Sequence, residues 1–271
     1  MTIEEMKSRK TSLGLTNEMI SEACGIPLST IQKIMSGTTK APRKATLEAI
    51  EKVLYTEEHR RKIHTPEILK EPSAEYNISG SSVKKKGGYT LDDYYALPDE
   101  QRVELIDGVF YDMAAPAVIH QKILGELFIL FRECINAHKA QCDVYLSPCD
   151  VRLDRDNRTM VQPDLFVICG SYDLDARAFD GAPDLTLEIL SPSTRAKDML
   201  LKLHKYQNAG VKEYWIVDPE HNTVLVYDLG SGDFYPAKYS FDDVIPIRIS
   251  GGKCSIDFSQ VNKALARIRD R

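Results

Sequence analysis

Gln162-Pro163-Asp164-Leu165-Phe166-Val167-Ile168 and, further along, Leu185-Thr186-Leu187-Glu188-Ile189-Leu190 decide how the chain is read. Each is an apolar run of strand length, and each carries one acid where strand propensity least favours it. Side chains alternate along a strand, so Leu185, Leu187 and Ile189 share one face and Thr186 and Glu188 the other. A carboxylate inside so apolar a strand is costly unless it is paired or holds a cation. Asp164 stands at the mouth of the first run, 24 residues ahead of Glu188 (188 − 164). Two strands and a loop fit in that gap, so neighbouring strands can bring the two acids together as a divalent-metal site. Oxygen donors suit Mg²⁺ or Mn²⁺ over zinc. A hard cation beside a basic group polarises a phosphoryl oxygen and lowers the pKa of an attacking water, so phosphoryl hydrolysis is the natural reaction class.

Around these two runs lie further short β patterns: 103–106 and 109–113 about Asp107-Gly108, a hairpin signal, then 144–146, 150–153, 214–217 and 224–227. Helical patterns over 120–138 and 196–209, the second stopped by Gly210, interrupt them. A sheet flanked by helices follows, so this part is expected to be mixed α/β. Ahead of it, 70–88 is rich in Gly, Ser, Lys and Pro without apolar period, which reads as a linker. The division expected is 1–70 as a first domain, 71–88 as linker and 89–271 as a second domain.

The first domain reads as all-α. Residues 3–13, 16–24, 28–36 and 43–54 carry apolar residues at helical spacing, separated by Gly14, Gly25, Gly37 and Pro42. One helix ending at Gly25 and the next starting near Pro27 have helix-turn-helix spacing. The second of these helices is expected to bury Ile31, Ile34 and Met35 and to leave Ser29, Thr30, Gln32, Lys33 and Ser36 outward, where hydroxyl, amide and amine groups suit base edges and phosphates of duplex DNA. The plainer reading is a solvated helix bundle whose polar residues face water.

With 43% apolar and 28% charged residues, the chain of 271 residues can build packed cores and is not a disordered protein. No apolar run approaches the ~20 residues that span a bilayer, and the N-terminus lacks the apolar segment of a secretory signal. A cytoplasmic protein without membrane contact is expected. The six cysteines are scattered, with no Cys-x-x-Cys pair, and are read as reduced thiols. Residues 1–87 hold 15 Lys and Arg against 11 Asp and Glu, net +4; the net charge of −5 leaves −9 for the rest. A site that concentrates carboxylates for a cation is locally acidic until the cation arrives, so the acidic half is compatible with work on DNA.

The residues 15–37 resemble the phage-repressor class of helix-turn-helix. The pairing of Pro163-Asp164 with Glu188 resembles the PD-(D/E)xK nuclease superfamily. More specifically, Tyr89–Pro98, Val103-Glu104-Leu105-Ile106-Asp107-Gly108, His120, Gln162–Leu165, Leu187–Thr194 and Gly210–Pro219 follow the order seen in the Uma-two group of endonucleases, over about 89–228. This resemblance implies a restriction-endonuclease-like core, a mixed β-sheet flanked by helices. It further implies Glu104, Asp164 and Glu188 as the acidic set, Asp164, Glu188 and the Ile189 carbonyl as ligands of Mg²⁺ or Mn²⁺, and a catalytic lysine. Two positions after Glu188 stands Leu190 where the superfamily has that lysine; the resemblance moves it to the next helix, at Lys202, with Lys197 and Lys205 as rivals. Helical spacing puts Asp198, Lys202 and Lys205 on one stripe, so Lys202 can also be merely a partner of Asp198.

The reading is therefore a metal-dependent DNA endonuclease on double-stranded DNA, as a homodimer. A non-catalytic DNA-binding regulator with a degenerate nuclease domain used for oligomerisation is the alternative, and RNA or a nucleotide is another substrate open to the same chemistry. Glu104 can be a solvated hairpin acid, Asp164 a turn cap, Glu188 half of a structural ion pair with Lys202, and Asp218 a turn residue. His120, at the start of a helix, is expected to cap or pack.

Overall fold

The computed structural model describes Ile3, Met6, Lys7, Lys10 and residues 17–39, 42–55, 87–98, 100–192, 194–195, 197–231 and 236–269. The linker expected over 71–88 lies outside these residues except for 87–88, as does most of the helix expected over 3–13. The chain divides into two compact units, Met1–Pro72 with Thr194–Lys202, and Ser73–Ser193 with Leu203–Arg271.

In the first unit, helix α1 (Asn17–Cys24) ends at Gly25, whose φ of 68° is the left-handed conformation that glycine adopts without penalty. Helix α2 (Leu28–Met35) follows Pro27, with Pro27 accepting the first turn's N–H groups from Thr30 and Ile31, and helix α3 (Lys44–Tyr55) comes after Gly37 and Pro42. Ile31, Ile34 and Met35 are buried, as their spacing predicts, and pack with Ile20, Ile50, Val53 and Leu54. Leu200, from the segment Thr194–Lys202, belongs to the same apolar cluster.

The second unit is built on a six-stranded mixed sheet. Its strands in chain order are β3 (Cys142–Leu146), β5 (Leu165–Cys169), β7 (Leu185–Ile189), β8 (Glu213–Asp218), β9 (Thr223–Asp228) and β10 (Ala237–Ser240), and they lie in the order β10-β9-β8-β7-β5-β3. Only β7 and β8 pair parallel; the other neighbours are antiparallel. A parallel pair cannot be joined by a tight turn. The crossover between them carries a π-helical stretch, Lys197–Lys202, and helix α6 (Leu203–Ala209), which stops at Gly210 with φ 94°. The long helix α5 (Val118–Ala137) buries Ile123, Leu124, Leu127 and Phe131 against the sheet. Helix α4 (Leu91–Tyr95) precedes a separate hairpin, β1 (Val103–Ile106) and β2 (Val109–Asp112), turned by Asp107 and Gly108, both at positive φ. Gly108 is tightly held: a Cβ there would meet the Gly87 carbonyl oxygen at 2.6 Å. Two short strands, β4 (Val151–Arg152) and β6 (Phe179–Asp180), pair with each other. The mixed sheet with flanking helices is the architecture expected.

Residues beyond 228 close the core in a way the sequence pattern did not indicate. Strands β11 (Val244–Ile247) and β12 (Cys254–Asp257) form a hairpin, and helix α7 (Phe258–Arg269) follows; Ile245, Ile256, Phe258, Val261 and Leu265 join the apolar cluster of α5 and the sheet. Two further expectations are corrected. The cysteines are not all reduced: Cys142 bonds to Cys169 across the β3–β5 ladder and Cys134 to Cys254, while Cys24 and Cys149 are free. Cys pairing of this kind leaves no local spacing signal, since 27 and 120 residues separate the partners. The stripe expected through Asp198, Lys202 and Lys205 holds only in part: Asp198 and Lys202 lie 3.8 Å apart, but 197–202 is wound as a π-helix, with i→i+5 bonding, and Lys205 pairs with Asp107 and Asp154. No helix among the described residues is long and apolar enough to cross a membrane.

Glu213, at the start of β8, is fully buried, with its two carboxylate oxygens accepting from Trp215 Nε1 at 2.7 Å and the Ile249 N–H at 3.0 Å. Burial outweighs these bonds and raises its pKa above the ordinary 4.5. The folded state therefore holds this proton more tightly than the unfolded one, so the contribution to stability is full below pH 4.5 and lost as pH rises through the folded value. Melting temperatures measured from pH 4 upward should fall less steeply in Glu213→Gln than in wild type, whatever the offset between the two at one pH.

Candidate active site

The register of the sheet sets the two acids side by side. In the β5–β7 ladder Leu165 pairs with Leu187, and one step further that antiparallel register faces Asp164 with Glu188. Opposite positions on adjacent strands bring Cβ atoms to about 4.5–5.5 Å. Asp164 thus stands just where β5 begins, and Glu188 is buried within β7. Asp164 Oδ2 accepts the Ile189 N–H at 2.8 Å and lies 3.0 Å from His120 Nε2; its Oδ1 has no hydrogen bond among the described residues. Ile189 is therefore bound to the site through its backbone, adjacent to the carbonyl that the sequence nominates. Glu188 Oε1 accepts from the buried Tyr206 hydroxyl at 2.7 Å.

Glu104 reaches the same region by another route. Leu105 bridges to Met160 through paired backbone bonds, which lays β1 beside 160–162. The fully buried Glu104 then accepts the Gln162 N–H on Oε1 at 2.9 Å, two residues ahead of Asp164. It is not a solvated hairpin acid. The Gln162 side chain is fixed in turn, Nε2 donating to Asp150 Oδ1 at 2.8 Å and to the Tyr94 hydroxyl oxygen at 3.1 Å, while Tyr94 donates to Asp150 at 2.7 Å. Burial, and then the Asp150 charge, push the Tyr94 hydroxyl well above its ordinary pKa, so it stays a donor.

His120 and Gln162 stand beside the acids through contacts that no local pattern shows. His120, at the first turn of α5, is 9% exposed, and its Nδ1 is buried without a hydrogen-bond partner among the described residues; so is Gln162 Oε1. An acid faces Nε2, so that ring nitrogen serves as the donor. Helical position identifies His120 as inward-facing, but its partner lies 44 residues away.

The lysines separate. Lys205 is committed to Asp107 at 2.8 Å and, more closely still, to Asp154; these two bonds outweigh burial and raise its pKa. Lys202 is buried, 3.8 Å from Asp198 Oδ1, and with Lys197 belongs to the compact unit that holds the helix-turn-helix. Asp218 accepts from the backbone of Glu220 and His221 and pairs with His221, in keeping with a turn residue.

The donor set, two carboxylates with an imidazole and a backbone carbonyl nearby, fits a hard or borderline divalent cation. Among the described residues, the groups of three ligand side chains within 4.8 Å of one another are Cys134, His138 and Cys254, and Asp218, Glu220 and His221, both away from this pair of acids. Carboxylates repel at close range, and a cation is what offsets that repulsion.

On α2, Ser29, Gln32, Lys33 and Ser36 are exposed and Thr30 half-buried, so the polar face expected is present. Ser36 is engaged locally, its hydroxyl on the Lys33 carbonyl and on Thr38.

Comparison with known proteins agrees with this geometry. A helix-turn-helix profile matches residues 6–56. A solved structure from Anabaena variabilis, described as "a putative nuclease belonging to DUF820", superposes with a TM-score of 0.56 at 21% identity, over 65% of this chain and 98% of that one, which establishes the fold. An uncharacterized protein of Synechocystis sp. is 27% identical over 171 residues, 61% of this chain and 88% of that protein. The Uma2 profile, described as "Putative restriction endonuclease", matches residues 91–250, more than half of the chain. The chain belongs to the Uma2 family, with a helix-turn-helix at its N-terminal side.

Proposed function

We propose that this protein is a Mg²⁺- or Mn²⁺-dependent endonuclease that hydrolyses phosphodiester bonds of double-stranded DNA, directed to it by the helix-turn-helix. The observation that carries the reading is the facing of Asp164 and Glu188 across the β5–β7 ladder, with Glu104 bonded at Gln162 beside them. Asp164, Glu188 and the Ile189 carbonyl hold the cation, and His120, hydrogen-bonded to Asp164, orients that carboxylate. The cation supplies charge for the phosphoryl oxygen and a water of lowered pKa. Tyr206 fixes the Glu188 carboxylate, and Gln162 fixes Glu104. Lys202 orients the nucleophile. Residues 1–70 serve as the DNA-binding domain, 71–88 as linker and 89–271 as the catalytic domain. One site per chain cuts one strand, so double-strand cleavage calls for a homodimer, in the cytoplasm where the DNA lies.

The deciding experiment is nicking of supercoiled plasmid by the full chain with Mg²⁺ or Mn²⁺, against metal-free controls. Metal-dependent nicking is the expected result; duplex binding without cleavage of any nucleic acid would favour a non-catalytic regulator. For the helix-turn-helix, Lys33→Glu together with Gln32→Ala should weaken duplex binding and flatten its dependence on salt between roughly 50 and 200 mM, because phosphate contacts release counterions. Fluorescence anisotropy across that range checks it, and an unchanged slope would place the DNA-binding surface elsewhere.

A further inference from the structure

Cys134 and His138 stand one helical turn apart at the C-terminal end of α5, and i, i+4 residues share a face. Cys254, the first residue of β12, comes up against them from a point 116 residues beyond His138 (254 − 138). The two sulfurs and one ring nitrogen of His138 all lie within 4.8 Å of one another. His138 Nδ1 is 2.9 Å from the Cys134 carbonyl oxygen, a bond that fixes the ring beside the sulfurs. Cys254 is buried, Cys134 half-buried and His138 exposed, so the cluster has an apolar floor and an open mouth.

We propose that this cluster is a redox-dependent site for a thiophilic divalent cation of the Zn²⁺ type, distinct from the carboxylate site. The structure joins Cys134 and Cys254 as a disulfide, and that is the oxidised state of the cluster. A dithiol reductant, the class that keeps cytoplasmic thiols reduced, delivers two electrons and two protons to the S–S bond and leaves two thiols. The cation then coordinates two thiolates and the imidazole, and the two thiol protons leave to solvent. Zinc takes sulfur at about 2.3 Å and imidazole nitrogen at about 2.0–2.1 Å, so tetrahedral ligands sit under about 4 Å apart, within reach of the spacing found. Water fills the fourth position. Thiolate and imidazole donors select zinc over the hard cations suited to Asp164 and Glu188. Bound there, the cation clips the far end of the helix that carries His120 to the closing hairpin.

The test uses the full chain, reduced with a phosphine and titrated with Co²⁺ and then Zn²⁺. One equivalent of Co²⁺ should give a near-ultraviolet sulfur-to-cobalt charge-transfer band, displaced by Zn²⁺ and absent before reduction. Cys134→Ser and Cys254→Ser should each weaken Co²⁺ binding by about tenfold or more and diminish the band. His138→Ala, at an exposed position, keeps the fold and should weaken binding while the band remains. Asp164→Asn should leave the band intact, which separates this site from the nuclease reading. No band in the reduced chain, a band that survives loss of both cysteines, or one erased by Asp164→Asn would overturn the proposal. If Cys254→Ser does not fold, Cys134→Ser and His138→Ala decide.

Discussion

Asp164→Asn and Glu188→Gln are each expected to lower metal-dependent DNA cleavage by at least about 10²–10³-fold, since each removes a charge that acts on the transition state. The conservative variants matter because these carboxylates also have structural partners. Asp164 accepts the Ile189 N–H and faces His120, and Glu188 accepts from Tyr206. An alanine at 164 leaves the buried Ile189 N–H without its acceptor, a cost of about 1–3 kcal/mol that would confuse loss of chemistry with loss of fold. Asparagine and glutamine keep an acceptor oxygen in place. Single-turnover cleavage in Mn²⁺ and calorimetric Mn²⁺ titration should fall together while melting temperature changes little. Normal cleavage in both variants would remove these residues from the chemistry. Lys202→Ala should also be severely impaired and Lys205→Ala should lose stability first, since its loss strands Asp107 and Asp154 without their cation.

Trp215→Ala should destabilise the unit built on the six-stranded sheet by about 3–5 kcal/mol, the range for deletion of a large buried aromatic. That is a large share of the ~5–15 kcal/mol by which folded proteins are stable. Trp215 is fully buried in β8, edge-on to Phe131 of α5 with centroids 5.6 Å apart, and 6.2 Å from Phe258 of α7. Its removal opens a cavity between helix and sheet and leaves a Glu213 oxygen without its donor. Because Trp215 pairs with Leu187, next to Glu188, the same change loosens the strand that presents the acid. Urea midpoints of wild type and variant measure the effect, and a loss under about 1 kcal/mol would mean that this ring does not span the core.

What could be read ahead of the structure follows from the range of each signal. Strand periodicity and the acids in 164 and 188 are local, and their facing on adjacent strands was within reach of a count of residues. The inward face of α2 was equally legible, because Ile31, Ile34 and Met35 sit at helical spacing. The sequence leaves His120 a capping or packing residue, and it does pack, but its Asp164 partner is set by tertiary structure. The π-helical winding of 197–202 has no period of its own to detect. The hairpin of β11 and β12 was missed because Val244-Ile245-Pro246-Ile247 contains a proline, which demotes a strand. The cysteine pairs join positions that only the sheet and the end of α5 bring together.

The hairpin β11–β12 and helix α7 have a consequence for how the chain is made. Phe258, Val261 and Leu265 fill the same core as Leu187 and Ile189 around Glu188, yet the ribosome delivers them some 70 residues later (258 − 188). At about 5–20 residues per second, β7 is made several seconds before the α7 residues that pack in its core. The packing of the core around Glu188 therefore waits on residues made well after β7, whereas the N-terminal helices are made before either.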